Sequence, residues 1–171
     1  MILAARNNHC SSRDRMPKTL QTGTTPLDDL WLVQLHRPYI FPDLFKGQDF
    51  ALLLLTAGGG LTDNERMMVC DEIVRQRCRY VVCAGEECER WHDWIDETYA
   101  FATTREGTEP DGMTTTWHEN ESLESVLCFF RDCAVFDEVR PRRLLVLILG
   151  GPPAWGREVE ALLGDCFRSQ V

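Results

Sequence analysis

The fold is decided by residues 50–85, which read FALLLLTAGGGLTDNERMMVCDEIVRQRCRYVVCAG. Residues 50–56 begin with a continuous apolar run, which is typical of a strand buried on both faces of a sheet. A glycine turn follows, and Thr62 and Glu65 have the spacing of a capping box at a helix start. A second apolar strand is predicted over 79–83. The inward stripe of the helix between the two strands is predicted to be Met67, Cys70, Val74 and Cys78.

The alternation of an apolar strand and an amphipathic helix continues to the end of the chain. The further predicted elements are a helix over about 86–102, a strand over 113–117, a helix beginning near Asn120 or Ser122, a strand over 144–149 and a helix around 159–167. Such alternation indicates right-handed crossovers between parallel strands. We therefore predict a three-layer α/β domain, Rossmann-like or flavodoxin-like, with a mostly parallel sheet of about four strands.

The beginning of the chain differs from the rest. Residues 1–25 are polar and lack an apolar period, so they are predicted to be a flexible N-terminal extension. Residues 26–171 are predicted to form a single α/β domain. At the junction, Thr25 and Pro26 are suited to start a short helix, but residues 31–35 are equally suited to an edge strand. The sequence leaves both alternatives open.

The predicted location is the cytoplasm. No stretch approaches the roughly 18 apolar residues that a membrane span needs. Residues 1–15 contain no apolar segment after their charges, so a secretory signal is not expected. In a reducing compartment, the eight cysteines are expected to be mostly small buried hydrophobic residues, and a disulfide framework is not expected.

The net charge of −9 is unevenly distributed. Residues 86–124 contain twelve acidic residues against Arg90 and Arg105. Such a surface repels phosphate backbones, so nucleic acid is not an expected partner of this region, whereas a cation or a basic protein is. A solvated acidic surface that aids solubility is the simpler explanation of the same composition.

Ligands of open parallel sheets bind beyond the carboxyl ends of the strands. Those ends are residues 56–60, 83–88, 117–121 and 150–153. With the four predicted strands numbered in chain order, the order 2-1-3-4 places the first end beside the third. The order 3-2-1-4 places the first end beside the fourth and leaves His118 at the far edge. Both orders remain open.

The glycine turn after the first strand is not a convincing nucleotide site. Gly58 and Gly60 supply two glycines of a dinucleotide fingerprint, but Asp63 occupies the third position. With Glu65, it places negative charge at the helix start, where phosphate binds. No lysine of a phosphate-binding loop follows. We predict a plain strand-to-helix turn and no bound cofactor.

Cysteines and histidines at the strand ends are the candidates for chemistry. The catalytic candidates are Cys88, His92, His118 and Glu119, acting as a thiol nucleophile with a histidine base or as a metal-assisted hydrolase. The helix dipole near Cys88 favours a thiolate. The alternative is a zinc site formed by Cys83, Cys88, His92 and His118. A buried cysteine and a core histidine explain the pattern without any activity, because Cys88 and His92 lie on the predicted inward stripe Cys88, Trp91, His92, Ile95 and Tyr99.

Four acidic residues fall at the same strand ends: Glu86, Glu87, Glu119 and Glu121. Paired carboxylates of this kind serve acid–base or metal-dependent chemistry. Acidic residues in the first turn of a helix also simply complement the helix dipole. The latter role is favoured.

Two segments carry a resemblance to a known family. These are Arg79–Gly85 with Cys88 and Trp91–Asp93, and then Thr115–Glu119. Over about residues 38–150 the chain resembles a family of small bacterial domains of unknown function. The resemblance implies a Rossmann-like fold and no established activity. It directs attention to the residues around Cys83, Cys88, His92 and His118.

The functional prediction follows from the charge and from the predicted burial of the candidate site. We predict a small interaction or regulatory module, which binds another protein through its acidic face or crevice and needs no cofactor. The alternative is an enzyme that uses the cysteine, histidine and glutamate cluster.

Overall fold

The computed structural model describes residues 18–20, 29–57, 60–106, 112–138 and 140–168. They form six strands: β1 (Lys18–Leu20), β2 (Asp29–Leu35), β3 (Phe50–Thr56), β4 (Cys78–Gly85), β5 (Thr114–His118) and β6 (Arg143–Leu149). The helices are α1 (Asp63–Arg75), α2 (Cys88–Glu106), α3 (Leu123–Cys133) and α4 (Pro153–Arg168). None of the described helices combines the length and the apolar character that a bilayer crossing requires.

The strands form a single sheet with the order β1-β2-β6-β3-β4-β5. β1 is antiparallel to β2, and every other neighbouring pair is parallel. Of the two orders predicted for the last four strands, the sheet has the one that places β6 beside β3 and β5 at an edge. β3 and β6 lie at the centre and are covered on both faces, which explains their continuous apolar sequences.

Two helix layers cover the sheet, so the predicted three-layer α/β fold is confirmed. Helices α1 and α2 pack on one face through Val69, Ile73, Trp91 and Ile95. Helices α3 and α4 pack on the other face through Val126, Leu127, Phe130, Val159 and Leu163. Successive β3 side chains point alternately into these two cores, as the period of a strand requires.

The structure before β3 decides between the helix and the strand that the sequence left open for this region. Residues 29–35 form a strand, not a helix, and this strand lies inside the sheet between β1 and β6. Residues 18–20 cover its outer edge, although they belong to the interval 1–25 that is predicted to be a flexible extension. The rest of that interval lies outside the described residues.

The predicted inward stripe of α1 is wrong by one residue. Thr62 caps the helix in a capping box with Glu65, as predicted. The buried residues of α1 are, however, Arg66, Val69, Cys70 and Ile73. Met67 is half exposed, and Cys78 already belongs to β4. The hydrophobic pattern missed the true stripe because it contains an arginine, whose guanidinium lies over the Trp91 ring at 5.4 Å.

Candidate functional site

A crevice of about 700 Å³ lies at the carboxyl edge of the sheet. Its walls come from the ends of β3, β4 and β5 and from the start of α4. It is lined by Thr56, Ala57, Gly85, Glu86, Glu87, His118, Glu119, Asn120, Glu121, Pro152, Ala154, Trp155 and Glu158. The volume lies in the usual range for ligand pockets. We refer to it below as the acidic crevice.

The floor of the acidic crevice depends on a close approach of two strand ends. Gly85 has a φ of +92°, and a side chain there would overlap the carbonyl oxygen of Thr56. Beyond this glycine, the Glu86 amide donates to the Thr56 carbonyl at 2.9 Å. The Thr56 hydroxyl donates back to the Glu86 carbonyl. These bonds hold Glu86 at the mouth of the crevice.

His118 lines the acidic crevice, although β5 is an edge strand. Its Nδ1 lies 2.9 Å from Oε1 of Glu121, and its ring packs against Phe129 with centroids 4.3 Å apart. The hydrogen bond with His118 lowers the pKa of Glu121. The His118 side chain is 9% exposed. The crevice reaches this edge because the chain after β5 turns across the strand ends toward α3.

His92 lies on the other face of the sheet from the His118 ring. It packs against Trp117 with ring centroids 4.6 Å apart. Its Nδ1 is 3.1 Å from Oδ1 of Asp93, and its Nε2 is 3.5 Å from Oδ2 of Asp96. Trp117 and His118 are successive strand residues, so their side chains point to opposite faces. The two histidine rings therefore do not share one site.

Both cysteines of the candidate site are buried. Cys83 is 1% exposed within β4, and Cys88 is 2% exposed at the start of α2. Burial raises the pKa of Cys83 well above the ordinary value. It also raises the pKa of Cys88, and the backbone N–H groups of Glu89 and His118 only partly offset this effect. At neutral pH both groups are therefore thiols, so burial outweighs the helix dipole that favours a thiolate at Cys88.

The four predicted zinc ligands are divided between the two faces. The His92 ring extends from α2 and packs against Trp117 on one face, whereas the His118 ring packs against Phe129 of α3 on the other. Both histidines already have carboxylate partners. In the described part of the chain, no group of three or more His, Cys, Asp or Glu side chains is arranged to hold a metal ion.

We expect protein purified without a chelator to carry no stoichiometric zinc. Elemental analysis measures the zinc content, and a melting curve with and without a chelator checks whether metal supports the fold. About one zinc per chain, together with loss of stability on chelation, would contradict this expectation and support a zinc site formed by Cys83, Cys88, His92 and His118.

The four glutamates predicted at the strand ends all line the acidic crevice. Glu87 pairs with Arg66 and Arg90, and its pKa is lowered first by the hydrogen bond from Arg66. Glu121 pairs with His118. Sequence reasoning missed Trp155 and Glu158, which follow the strand end at 150–153 by one helical turn. The sequence signal that could have identified these two residues is the start of a helix directly after the strand end at 150–153.

Three of the lining carboxylates have no cationic partner among the described residues. These are Glu86, Glu119 and Glu158. No lysine or arginine lines the crevice within the described ranges. Negative charge is therefore left uncompensated around a concave surface, where low-dielectric walls concentrate its field.

The chain is therefore a three-layer α/β domain with an acidic crevice at the carboxyl edge of its parallel strands. Residues 30–166 match the family described as the domain of unknown function DUF7684, and the chain belongs to that family. This agrees with the resemblance at the level of an uncharacterised domain family. Neither the curated proteins nor the solved structures contain a significant match.

Proposed function

We propose that this chain is an interaction module whose acidic crevice binds a positively charged segment of another protein. The observation that carries the proposal is the set of three carboxylates, Glu86, Glu119 and Glu158, which surround a cavity and have no cationic partner in the described part of the chain. Carboxylates that were buried, or that already formed ion pairs, would not be free to bind a positively charged segment. The sign of the charge disfavours nucleic acid as the occupant.

Arginine side chains fit this surface best. A guanidinium group forms two parallel hydrogen bonds with a carboxylate, and it also packs on aromatic faces. Trp155 is half-buried in the wall beside Glu158 and offers such a face. A segment with several arginines or lysines would place positive charge beside more than one of the three carboxylates at once. A location in the cytoplasm, a bacterial origin and a fold of the Rossmann-like type belong to the same proposal and rest on the sequence.

The test is the affinity of a short Arg/Gly peptide, measured by fluorescence anisotropy at fixed salt. We expect the variant Glu86→Gln/Glu119→Gln/Glu158→Gln to bind it about tenfold or more weakly, since each exposed ion pair contributes about 0.2–1 kcal/mol. The matched control is Asp71→Asn/Glu97→Gln/Glu138→Gln, which removes the same charge from exposed sites outside the crevice. We expect it to bind within about twofold of the unmodified chain.

Equal weakening in the two variants would contradict the proposal, because it would show attraction to the net charge alone. No binding to the unmodified chain near physiological salt would contradict it as well. A peptide of the same length with glutamate in place of arginine provides the baseline.

The competing hypothesis is an enzyme that uses Cys88, His92, His118 and Glu119. Two observations weigh against it. The rings of His92 and His118 face opposite sides of the sheet, and burial raises the pKa of Cys88. A nucleophilic cysteine needs a nearby base and a lowered pKa. The reactivity of the Cys88 thiol separates the two hypotheses.

A further inference from the structure

Two cysteines of the α3–α4 layer, neither of which lines the acidic crevice, lie in direct contact. Cys128 in α3 and Cys166 in α4 have their sulfur atoms 3.1 Å apart. A disulfide bond needs about 2.05 Å, so the sulfur atoms have to approach by only about 1 Å. Both residues are free thiols in this structure. They are 38 positions apart in the chain, so a bond between them would join the two helices covalently.

The two sulfur atoms differ in access. Cys128 is partly exposed, whereas Cys166 is buried. The pKa of Cys166 is raised to about 12, first by burial and then by the neighbouring Cys128 sulfur. Cys128 is therefore the sulfur that a reagent from solution reaches first, and Cys166 is positioned behind it.

The charged neighbours of Cys166 do not all act in one direction. Glu124 raises the pKa of the Cys166 thiol, and Arg131 also pairs with Asp132. Arg131 donates a hydrogen bond to the Cys166 carbonyl oxygen, and its charge lowers the pKa of that thiol. In a mixed disulfide the Cys128 sulfur can carry no negative charge, so one cause of the raised pKa of Cys166 is removed. The first step of an exchange thereby eases the second.

We propose that Cys128 and Cys166 form a reversible disulfide, with a small-molecule disulfide such as oxidised glutathione as the oxidant. Cys128 loses its proton and attacks one sulfur of the small disulfide, which breaks the S–S bond of that molecule and forms a mixed disulfide. The first small thiolate leaves and takes up the proton. Cys166 then loses its proton, and its sulfur attacks Cys128 Sγ. The second small thiol leaves and takes up that proton. Two protein thiols are oxidised, and one small disulfide is reduced to two thiols.

The experiment uses the full-length protein in its native state. It is incubated with oxidised glutathione, its remaining thiols are alkylated, and the disulfide-linked peptides are identified by mass spectrometry without reduction. We expect a peptide that links Cys128 to Cys166, which dithiothreitol separates again. The linked protein should melt roughly 5–10 °C higher, because the crosslink restricts the unfolded chain.

Two variants test the order of the steps. In Cys166→Ala, glutathione attached to Cys128 has no second thiol to displace it, so the adduct should accumulate. In the matched control Cys133→Ser, which removes an exposed cysteine of the same helix, the Cys128–Cys166 link should form as before. If Cys166→Ala does not fold, Cys128→Ser replaces it, and Cys166 should then carry no glutathione.

Three results would overturn the proposal. The first is a Cys128 thiol that stays free under conditions that modify Cys133. The second is a stable glutathione adduct on Cys128 of the unmodified chain, since Cys166 should displace it. The third is a link from either residue to a different cysteine.

Discussion

Gly85→Ala is expected to lower the free energy of unfolding by about 3 kcal/mol or more. Gly85 ends β4 with a φ of +92°, a conformation that residues with a side chain rarely adopt. A methyl group there would also overlap the Thr56 carbonyl oxygen, which belongs to the backbone of the central strand β3. Thr56 and Gly85 pair with each other in the sheet, so a movement that relieves the overlap would disrupt the pairing of β3 with β4. The strain of the positive φ and the overlap with the Thr56 carbonyl oxygen therefore both contribute to the expected loss of stability.

Gly60→Ala is the matched control. Gly60 also has a positive φ, of +76°, but a side chain there would meet nothing within 4 Å. Its replacement should cost only about 1 kcal/mol, which is the strain of the backbone conformation. Urea denaturation followed by circular dichroism measures both variants. A loss of stability as small for Gly85→Ala as for Gly60→Ala would contradict the close packing of β3 against β4.

The same glycine connects stability with the acidic crevice. Thr56 and Glu86, whose backbones bond to each other across this position, both line the cavity. A Gly85→Ala chain that still folds must separate the two strand ends, and this movement displaces Glu86. We therefore attribute to Gly85 the shape of the crevice floor as well as the packing of the sheet.

The parts of the fold that the sequence could predict are those where a local pattern and the tertiary environment agree. The apolar run of β3 is long enough to demand burial on both faces, and the capping box at Thr62 marks the start of α1 without any knowledge of its surroundings. The order of the strands could not be predicted. The order depends on which helix covers which face of the sheet. The apolar stripe of an amphipathic helix does not indicate which of the two faces the helix covers.

The inward stripe of α1 shows where patterns of hydrophobicity fail. Arg66 is buried because its guanidinium pairs with Glu87 and lies over Trp91, and both partners come from the region of α2. A pattern search rejects an arginine at an inward position, so it selects the neighbouring stripe. The compensation for a buried charge lies elsewhere in the chain, and only the tertiary structure reveals it.

The candidate site was predictable in location but not in chemistry. The rule that ligands bind at the carboxyl ends of parallel strands directs attention to the edge of the sheet where the crevice lies. The glutamates that the rule selects, Glu86, Glu87, Glu119 and Glu121, all line that crevice. The same rule grouped His92 with His118, which the structure separates. A strand turns successive side chains to opposite faces, and a shift of one residue decides which face a side chain enters.

Cys88 in the native protein is expected to react with iodoacetamide at least roughly a hundredfold more slowly than Cys133, because a buried thiol reacts only after a local opening of the structure. Cys133 is the internal control, since it is exposed at the end of α3, on the other face of the sheet. Alkylation near neutral pH, stopped at several times and mapped by mass spectrometry, gives the two rates in the same sample. After unfolding in urea the two cysteines should react at similar rates.

Cys88→Ser completes this test, because it separates a buried structural thiol from a reactive one. The side chain contacts the core beneath α2 and is 2% exposed, so a hydroxyl there is desolvated and should cost about 1–3 kcal/mol of stability. Cys133→Ser should change the stability by less than about 0.5 kcal/mol. Fast native alkylation of Cys88, together with an unchanged melting temperature of Cys88→Ser, would contradict the interaction module and favour the enzyme. Slow alkylation with a destabilised variant would assign Cys88 to the core and contradict an enzyme that uses this thiol as its nucleophile.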